Sequence, residues 1–170
     1  MDWHTILIIS HIVGTVLGVG GATFAEIFYL KAIKDGEIDP TEGSFLKTTY
    51  FVLRTGLVLL VLSGFSMLAL KVSQGASGYL YNPILWAKLT ITIIIATNAL
   101  LLQAHAIPSW LGFSLSLTSW YAAMILGLWR SLDASYVAIM LFYIVWVLAV
   151  GFILERIRVW YIGNSRHTRV

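Results

Sequence analysis

The chain has 170 residues, of which 59% are hydrophobic and only 11% are charged, and its mean hydropathy is +0.85. An ordinary soluble domain carries roughly 25% charged residues, so a water-soluble globule of this length would lack the polar side chains to cover its apolar ones. The absence of cysteine excludes disulfides, thiolate metal sites and a cysteine nucleophile. The composition therefore predicts a membrane protein.

Five hydrophobic runs follow one another along the chain with short polar connections. Each has the ~20 residues that a helix needs to cross a hydrocarbon core roughly 30 Å thick. We therefore predict an all-α fold, a single domain over residues 1–170 that is an integral membrane bundle of five transmembrane helices. The first run is too long for a cleavable signal peptide and lacks its leading positive charge, so we expect it to remain in the protein. The predicted helices cover about 5–31, 45–70, 83–107, 110–132 and 136–160.

Polar residues, Gly and Pro mark the turns between these runs. Thr41 or Ser44 is the expected N-cap of the second helix, because both hydroxyls precede an apolar run. Pro83 suits the first turn of the third helix, where its missing N–H is not needed.

Basic residues are concentrated on one face of the predicted bundle. We call the face that holds the amino terminus side A and the opposite face side B. Side A holds Lys71 and Arg130, with Lys88 near it. The positive-inside rule then predicts a cytoplasmic side B in the cell inner (cytoplasmic) membrane, with the N-terminus outside and the C-terminus inside. The basic residues of side B are Lys31, Lys34, Lys47, Arg156, Arg158, Arg166 and Arg169.

These charges flank membrane segments, so we expect no nucleic-acid partner, although the net charge is +3. The expected partner is the lipid bilayer. A homo-oligomer and an assembly with other membrane subunits both remain open.

Three ionisable residues, Glu26, Arg54 and Glu155, fall inside the predicted helices toward side B. A charged side chain at the centre of a bilayer costs roughly 2.5–3.5 kcal/mol on insertion scales, so each needs a partner or a task. At 1.5 Å per residue, Arg54 lies about 14 Å below side B and the two glutamates about 8 Å below it. We predict a buried ion pair or triad of these three residues that fixes helix packing, with a proton or substrate relay as the functional alternative.

His11 and Lys88 lie at one depth, about 9 Å and about 8 Å inside side A. On the first helix, His11 shares a face with small residues that include Gly14 and Gly18. Two interpretations of this face remain open. Either the small residues serve close helix packing, or they accommodate a flat ligand such as a tetrapyrrole. In the second case His11 is an axial ligand to haem iron, and Lys88 pairs with a propionate unless it extends to the interface instead.

No second histidine faces His11 at the same depth. His105 lies about 25 Å further along the third helix than Lys88, so it cannot share a metal with His11 in a straight bundle. The sixth position of a haem iron would be empty, filled by another subunit, or filled by Met124 or Met67, which lie at comparable depth. Asn98 and His105 are expected to hydrogen-bond across helices.

Short motifs in the first three helices resemble a group of small multi-pass bacterial membrane proteins. His11 is followed ten residues later by Gly21 and then by the segment 27–30, Ile-Phe-Tyr-Leu, while Ala87-Lys88-Leu89 lies in the third helix and Ser63-Gly64 in the second. The group includes the J-type protoporphyrinogen oxidase and the copper-resistance D-like proteins. The resemblance implies haem b, oxidation of protoporphyrinogen, and roles for His11 and Lys88. The second histidine that the oxidase tends to have late in the third helix has no counterpart here.

The leading functional hypothesis is a haem-b-binding membrane redox protein that acts on a tetrapyrrole or quinone-like substrate. His11, Lys88, Gly14, Gly18 and Met124 are its candidate cofactor-binding residues, with His11 on the metal. Two other classes remain open. One is a transporter or channel for a metal ion or small solute along Glu26, Arg54 and Glu155, and the other is a cofactor-free scaffold or accessory subunit. The soluble catalytic signatures are absent, so any catalysis would depend on a bound cofactor.

Overall fold

The computed structural model describes residues 2–33, 39–129 and 132–167, the last six of these by their backbone alone. The comparison of basic residues on sides A and B includes three that lie outside the described residues, namely Lys34, Arg130 and Arg169. The side chain of Arg166 lies outside them too. Five α-helices follow in order, with one short 3₁₀ turn at Ser77–Tyr81 before the third, which confirms the predicted all-α fold. The helices are α1 (Trp3–Ala32), α2 (Pro40–Ser73), α3 (Pro83–Gln103), α4 (Ser109–Leu128) and α5 (Tyr136–His167).

All five helices are long and apolar enough to cross a membrane. Within their most apolar stretches, only 17% to 39% of the residues are buried inside the chain. Large side chains such as Val16, Leu62, Ile93 and Leu148 are therefore exposed on the outer faces of the bundle. Such a surface is unfavourable in water and suits lipid, because acyl chains are as apolar as these side chains. The chain is a multi-pass membrane protein.

The second helix begins five residues earlier than predicted, because Asp39 caps it. The Asp39 carboxylate accepts the Glu42 backbone N–H at 2.8 Å, and the Glu42 carboxylate accepts the Asp39 N–H at 3.1 Å. Pro40 follows the cap in the first helical turn. This capping box satisfies two N–H groups that the helix itself leaves free, so the expected cap at Thr41 or Ser44 is wrong. With 34 residues α2 is about 51 Å long and extends beyond the hydrocarbon core.

Two helices end in the same hydrogen-bonding motif, but a different residue takes the left-handed conformation in each. After α2, the N–H groups of Gly75 and Ala76 donate to the carbonyls of Val72 and Lys71, and Gly75 has a φ of +84°. After α3, His105 and Ala106 donate in the same way to Leu102 and Leu101, but the left-handed residue is His105, with a φ of +53°. Such a position normally carries glycine. The motif ends α3 at Gln103, four residues before the predicted end.

The last two helices also differ from their predicted ends. α4 ends at Leu128 rather than 132, and α5 continues to His167 rather than 160. The continuation adds residues 161–167 to the helix, the last six of them described by their backbone alone.

The tightest helix contact joins α1 and α2 through glycines. A Cβ on Gly14 would lie 2.8 Å from the Leu60 nitrogen and 2.9 Å from the Gly56 carbonyl oxygen. A Cβ on Gly56 would lie 2.8 Å from the Gly18 nitrogen. The two backbones are thus in direct contact, which is how small residues join membrane helices.

The remaining helices are arranged around α4. It contacts α1, α3 and α5, and its Trp120, only 1% exposed, covers Gly18 of α1. Gly112 of α4 packs against the Leu102 side chain of α3. In contrast, α2 and α3 scarcely contact each other along their described lengths. The bundle consists of a pair α1–α2 and a group α3–α4–α5, joined mainly through α1 and α4.

We predict that Gly14→Ala destabilises the bundle by about 1–3 kcal/mol, because the added methyl group would meet the backbone of α2. Gly20→Ala on the same helix is the control. A methyl group at this position would meet nothing within 4 Å, and the change removes a glycine from a helix interior. The variant should therefore be as stable as the unaltered protein or more stable by about 0.5–1 kcal/mol. Detergent-micelle unfolding with SDS, followed by circular dichroism, measures both. Equal stability changes in Gly14→Ala and Gly20→Ala would contradict the contact between Gly14 and α2.

Candidate functional sites: a histidine, a buried ion pair and a cavity

His11 of α1 is hydrogen-bonded to Ser63 of α2, with 3.0 Å between Nδ1 and Oγ. The Ser63 hydroxyl lies 2.5 Å from the Leu59 carbonyl oxygen and 3.2 Å from that of Leu60. Carbonyl oxygens only accept, so the single Ser63 hydrogen is directed to them and the histidine Nδ1–H donates to Ser63. The neutral ring then carries its lone pair on Nε2. This tautomer, fixed by a second hydrogen bond, is the form in which histidine binds metals.

Lys88 of α3 is half-buried, and its ammonium lies close enough to act electrostatically on the His11 ring. This agrees with the equal depth predicted for the two residues. The structure therefore brings a helix-1 histidine, a helix-2 serine and a helix-3 lysine to one region of side A.

The predicted groove beside His11 is filled by this chain's own atoms. Gly14 is covered by the α2 backbone at Gly56 and Leu60, and Gly18 by the Trp120 indole. Of the two interpretations left open for this face, helix packing is the one observed. The assignment of Gly14 and Gly18 as residues that make room for a macrocycle is wrong, because the small side chains allow α2 to approach instead.

The structure singles out no second axial ligand. Met124 of α4 and Met67 of α2 are both half-buried, and nothing distinguishes either as a ligand. His4 is exposed one turn from the start of α1. In the parts of the chain that the structure describes, no group of three or more His, Asp or Glu side chains is arranged to hold a metal ion.

The buried ion pair exists, but its arginine is Arg158 rather than Arg54. Arg158 Nη2 donates to Glu26 Oε1 at 2.6 Å and to Ser114 Oγ at 2.9 Å, and both charged side chains are 4% exposed. Arg158 Nη1 lies 3.5 Å from Glu155 Oε2, whose side chain is 49% exposed. The guanidinium also lies 5.4 Å from the centre of the Tyr29 ring. Glu26 and Glu155 therefore belong to one cluster as predicted, which joins α1, α4 and α5.

The depth count misassigned the arginine because it treated Arg158 as an interfacial charge. Side chains on a helix point back toward its N-terminus, so Arg158 extends from the end of the predicted span toward the bundle interior. It lies three residues after Glu155, on the same helix face. This three-residue spacing from Glu155 was the sequence signal that could have identified Arg158 as the partner. Glu26 Oε2 and Arg158 Nε have no hydrogen-bond partner among the described residues.

Arg54 instead borders a partly open cavity of about 250 Å³ between α2, α3 and α4. Its side chain makes no ion pair and no hydrogen bond with any described residue. Phe113 forms part of the wall and separates the cavity from the ion pair, since its ring packs against Tyr29 on one side and Tyr50 on the other. The lining residues include Leu53, Leu57, Ile95, Asn98, Leu102, Gln103, His105, Ile107, Ser109 and Trp120.

Asn98 joins two helices in the wall of this cavity. Its Nδ2 donates to the Gly112 carbonyl of α4 at 2.8 Å, while its buried Oδ1 has no donor among the described residues. The predicted hydrogen bond across helices is confirmed for Asn98. His105 makes no such bond, because it lies in the turn after α3 and its ring is exposed.

Comparisons of the chain with models of protein families, with curated proteins and with solved structures gave no match.

We predict that Glu26→Leu destabilises the protein by about 3–5 kcal/mol, because it leaves the buried Arg158 without its carboxylate. The double variant Glu26→Leu/Arg158→Leu should lose less than the sum of the two single losses. Glu155→Leu should cost at most about 1 kcal/mol, since that carboxylate is half exposed. SDS unfolding in micelles measures these differences. Coupling of Glu26 to Arg54, rather than to Arg158, would contradict the observed pair.

Proposed function

We propose that the chain is a haem-b-binding membrane redox protein in which Nε2 of His11 is the iron ligand. The observation that supports this is the hydrogen bond from Nδ1 to Ser63, which leaves Nε2 as the metal-binding nitrogen. Lys88 supplies a cation that acts electrostatically on the ring and would pair with a haem propionate. The resemblance of the first three helices to the J-type protoporphyrinogen oxidase group points to the same two residues.

The filled glycine face restricts where such a cofactor would bind. Because α2 and Trp120 cover Gly14 and Gly18, a macrocycle would have to reach His11 without using the small-residue face of α1. Bound haem would supply one-electron redox chemistry, and a tetrapyrrole or quinone-like molecule would be the substrate. The chain's own part is to hold the imidazole in one tautomer and to place a positive charge beside it. The sixth position is left to Met124, to another subunit, or to none.

The two other functional classes have weaker support. A transport path along Glu26, Arg54 and Glu155 would need these side chains in one line, but both glutamates bind Arg158 while Arg54 borders a separate cavity. A scaffold that docks other helices on the small residues of α1 would need that face to be free, but α2 and Trp120 occupy it.

We further propose that the protein resides in the cell inner (cytoplasmic) membrane with its N-terminus outside, as a homo-oligomer or with other subunits. The charge distribution supports the orientation. Lys31, Lys47 and Arg156 lie at side B, whereas Lys71 is the basic residue at the side-A end of α2.

We expect the detergent-solubilised protein, expressed with haem supplementation, to show a Soret band that shifts when dithionite is added. His11→Ala should abolish the band, because it removes the iron ligand. His4→Ala and His105→Ala are the controls and should retain it. No Soret band in the unaltered protein, or a full band in His11→Ala, would contradict the proposal.

Two serine variants test whether Ser63 fixes the tautomer of His11. Ser63→Ala removes the acceptor for His11 Nδ1–H and should weaken haem binding by about 10-fold or more, as loss of such partners does at other metal sites. Ser66→Ala, on the exposed face of the same helix, should leave haem affinity unchanged. Haem titration by absorbance measures both, and equal affinities would show that Ser63 does not orient the ligand.

The orientation can be tested with reporters fused to the C-terminus in a bacterial host. We expect a fusion to green fluorescent protein to be fluorescent and a fusion to alkaline phosphatase to be inactive, because the C-terminus lies on the basic side B. The reverse pattern would show that side B faces outward.

A further inference from the structure

Arg54 lies two residues before Gly56, which packs against Gly14 and Gly18 near the middle of α1, and its side chain points back toward side B. The cavity that it borders is also lined by His105, Ile107 and Ser109, which belong to the turn between α3 and α4. α3 has 21 residues and spans about 31 Å, the thickness of the hydrocarbon core, so its end marks the boundary at side B. The Arg54 guanidinium is therefore directed from the middle of the bundle toward this boundary.

The lining of the cavity is both polar and apolar. Arg54, Gln103, His105 and Ser109 offer hydrogen-bond donors, and the buried Asn98 also lines it. Between α2 and α3 most of the other lining residues are aliphatic. At about 250 Å³ it is smaller than a pocket that encloses a whole ligand, and it is partly open. These features suit a molecule that inserts one apolar chain and keeps its polar group at the turn. The aliphatic lining comprises Leu53, Leu57, Ile95, Ala99 and Leu102.

The charge of Arg54 is not neutralised by the described part of the chain. No Asp or Glu pairs with it, whereas the other deep arginine, Arg158, has two carboxylates. A cation in a membrane bundle is stabilised by an anionic oxygen, which guanidinium binds through paired hydrogen bonds. The ligand should therefore carry a phosphate or a carboxylate.

His105 adds an independent sign that the polar end of the cavity is specialised. It holds a φ of +53° at a position where α2 uses Gly75 in the same motif. A non-glycine residue in this conformation is unfavourable, and such positions concentrate at ligand sites. The His105 side chain lines the same cavity as Arg54.

We propose that this cavity binds an anionic amphiphile, with its phosphate or carboxylate on Arg54 and its hydrocarbon chain between α2 and α3. The chemistry is shared by an anionic phospholipid and a free fatty acid. The proposal does not rest on haem binding, because the cavity is at the opposite end of the bundle from His11.

The test is a titration of the purified full-length protein in detergent, followed by native mass spectrometry. The probes are dioleoyl phosphatidylglycerol, sodium oleate, dioleoyl phosphatidylcholine and inorganic phosphate. We expect phosphatidylglycerol or oleate to bind at least about 10-fold more tightly than phosphatidylcholine, and phosphate alone to bind weakly. Preference for phosphatidylglycerol identifies a phospholipid as the source, and preference for oleate identifies a fatty acid.

Matched variants assign the binding to this cavity. Arg54→Gln should lower the affinity by about 10-fold or more, whereas Arg156→Gln, which removes one exposed cation near the same face, should change it by less than about two-fold. Ala99→Phe fills the cavity wall without changing charge and should also prevent binding. Circular dichroism verifies that each variant is folded. Equal affinity for anionic and zwitterionic lipid, equal losses in Arg54→Gln and Arg156→Gln, or no binding at all would overturn the proposal.

Discussion

The contact between α1 and α2 at Gly14, Gly18 and Gly56 governs the arrangement of the rest of the bundle. Lipid provides no hydrophobic force between helices, so association depends on close packing and on polar contacts. The glycines allow the two backbones to touch, and Trp120 of α4 then closes over Gly18. The same approach brings Ser63 within hydrogen-bonding distance of His11. A single packing arrangement thus fixes the histidine tautomer and removes the space that its small neighbours would otherwise leave.

A second constraint acts toward side B, where a buried ion pair joins α5 to α1. Glu26 and Arg158 are both buried, and Ser114 of α4 accepts a second hydrogen bond from the same guanidinium nitrogen. Such a pair contributes little net stability relative to apolar residues, but separation of its partners is costly. Its effect is therefore mainly on which helices associate and in what register. The glycine contact and the ion pair together hold α1 to all of its neighbours.

The five spans could be predicted because helix length and hydropathy are local properties of the sequence. The errors occur where a boundary or a partner depends on a specific interaction. Asp39 lies before the apolar run, so its capping of α2 was not visible in hydropathy. His105 ends α3 at a position that the sequence rules reserve for glycine. Arg158 was assigned to the interface because depth counting follows the backbone, whereas its long side chain extends back into the bundle. The small-residue face was recognised, but sequence alone cannot show whether a helix or a ligand fills it.

The space between α2 and α3 follows from these contacts. α2 is held through α1, and α3 is held through α4 and α5, so α2 and α3 scarcely contact each other along their described lengths. The part of α4 between them, including Phe113 and Trp120, then forms the floor of the gap. Arg54 and His105 line this gap toward side B, whereas His11 and Lys88 lie toward side A and outside its lining. A ligand in the gap would add contacts between α2 and α3, which scarcely touch along their described lengths.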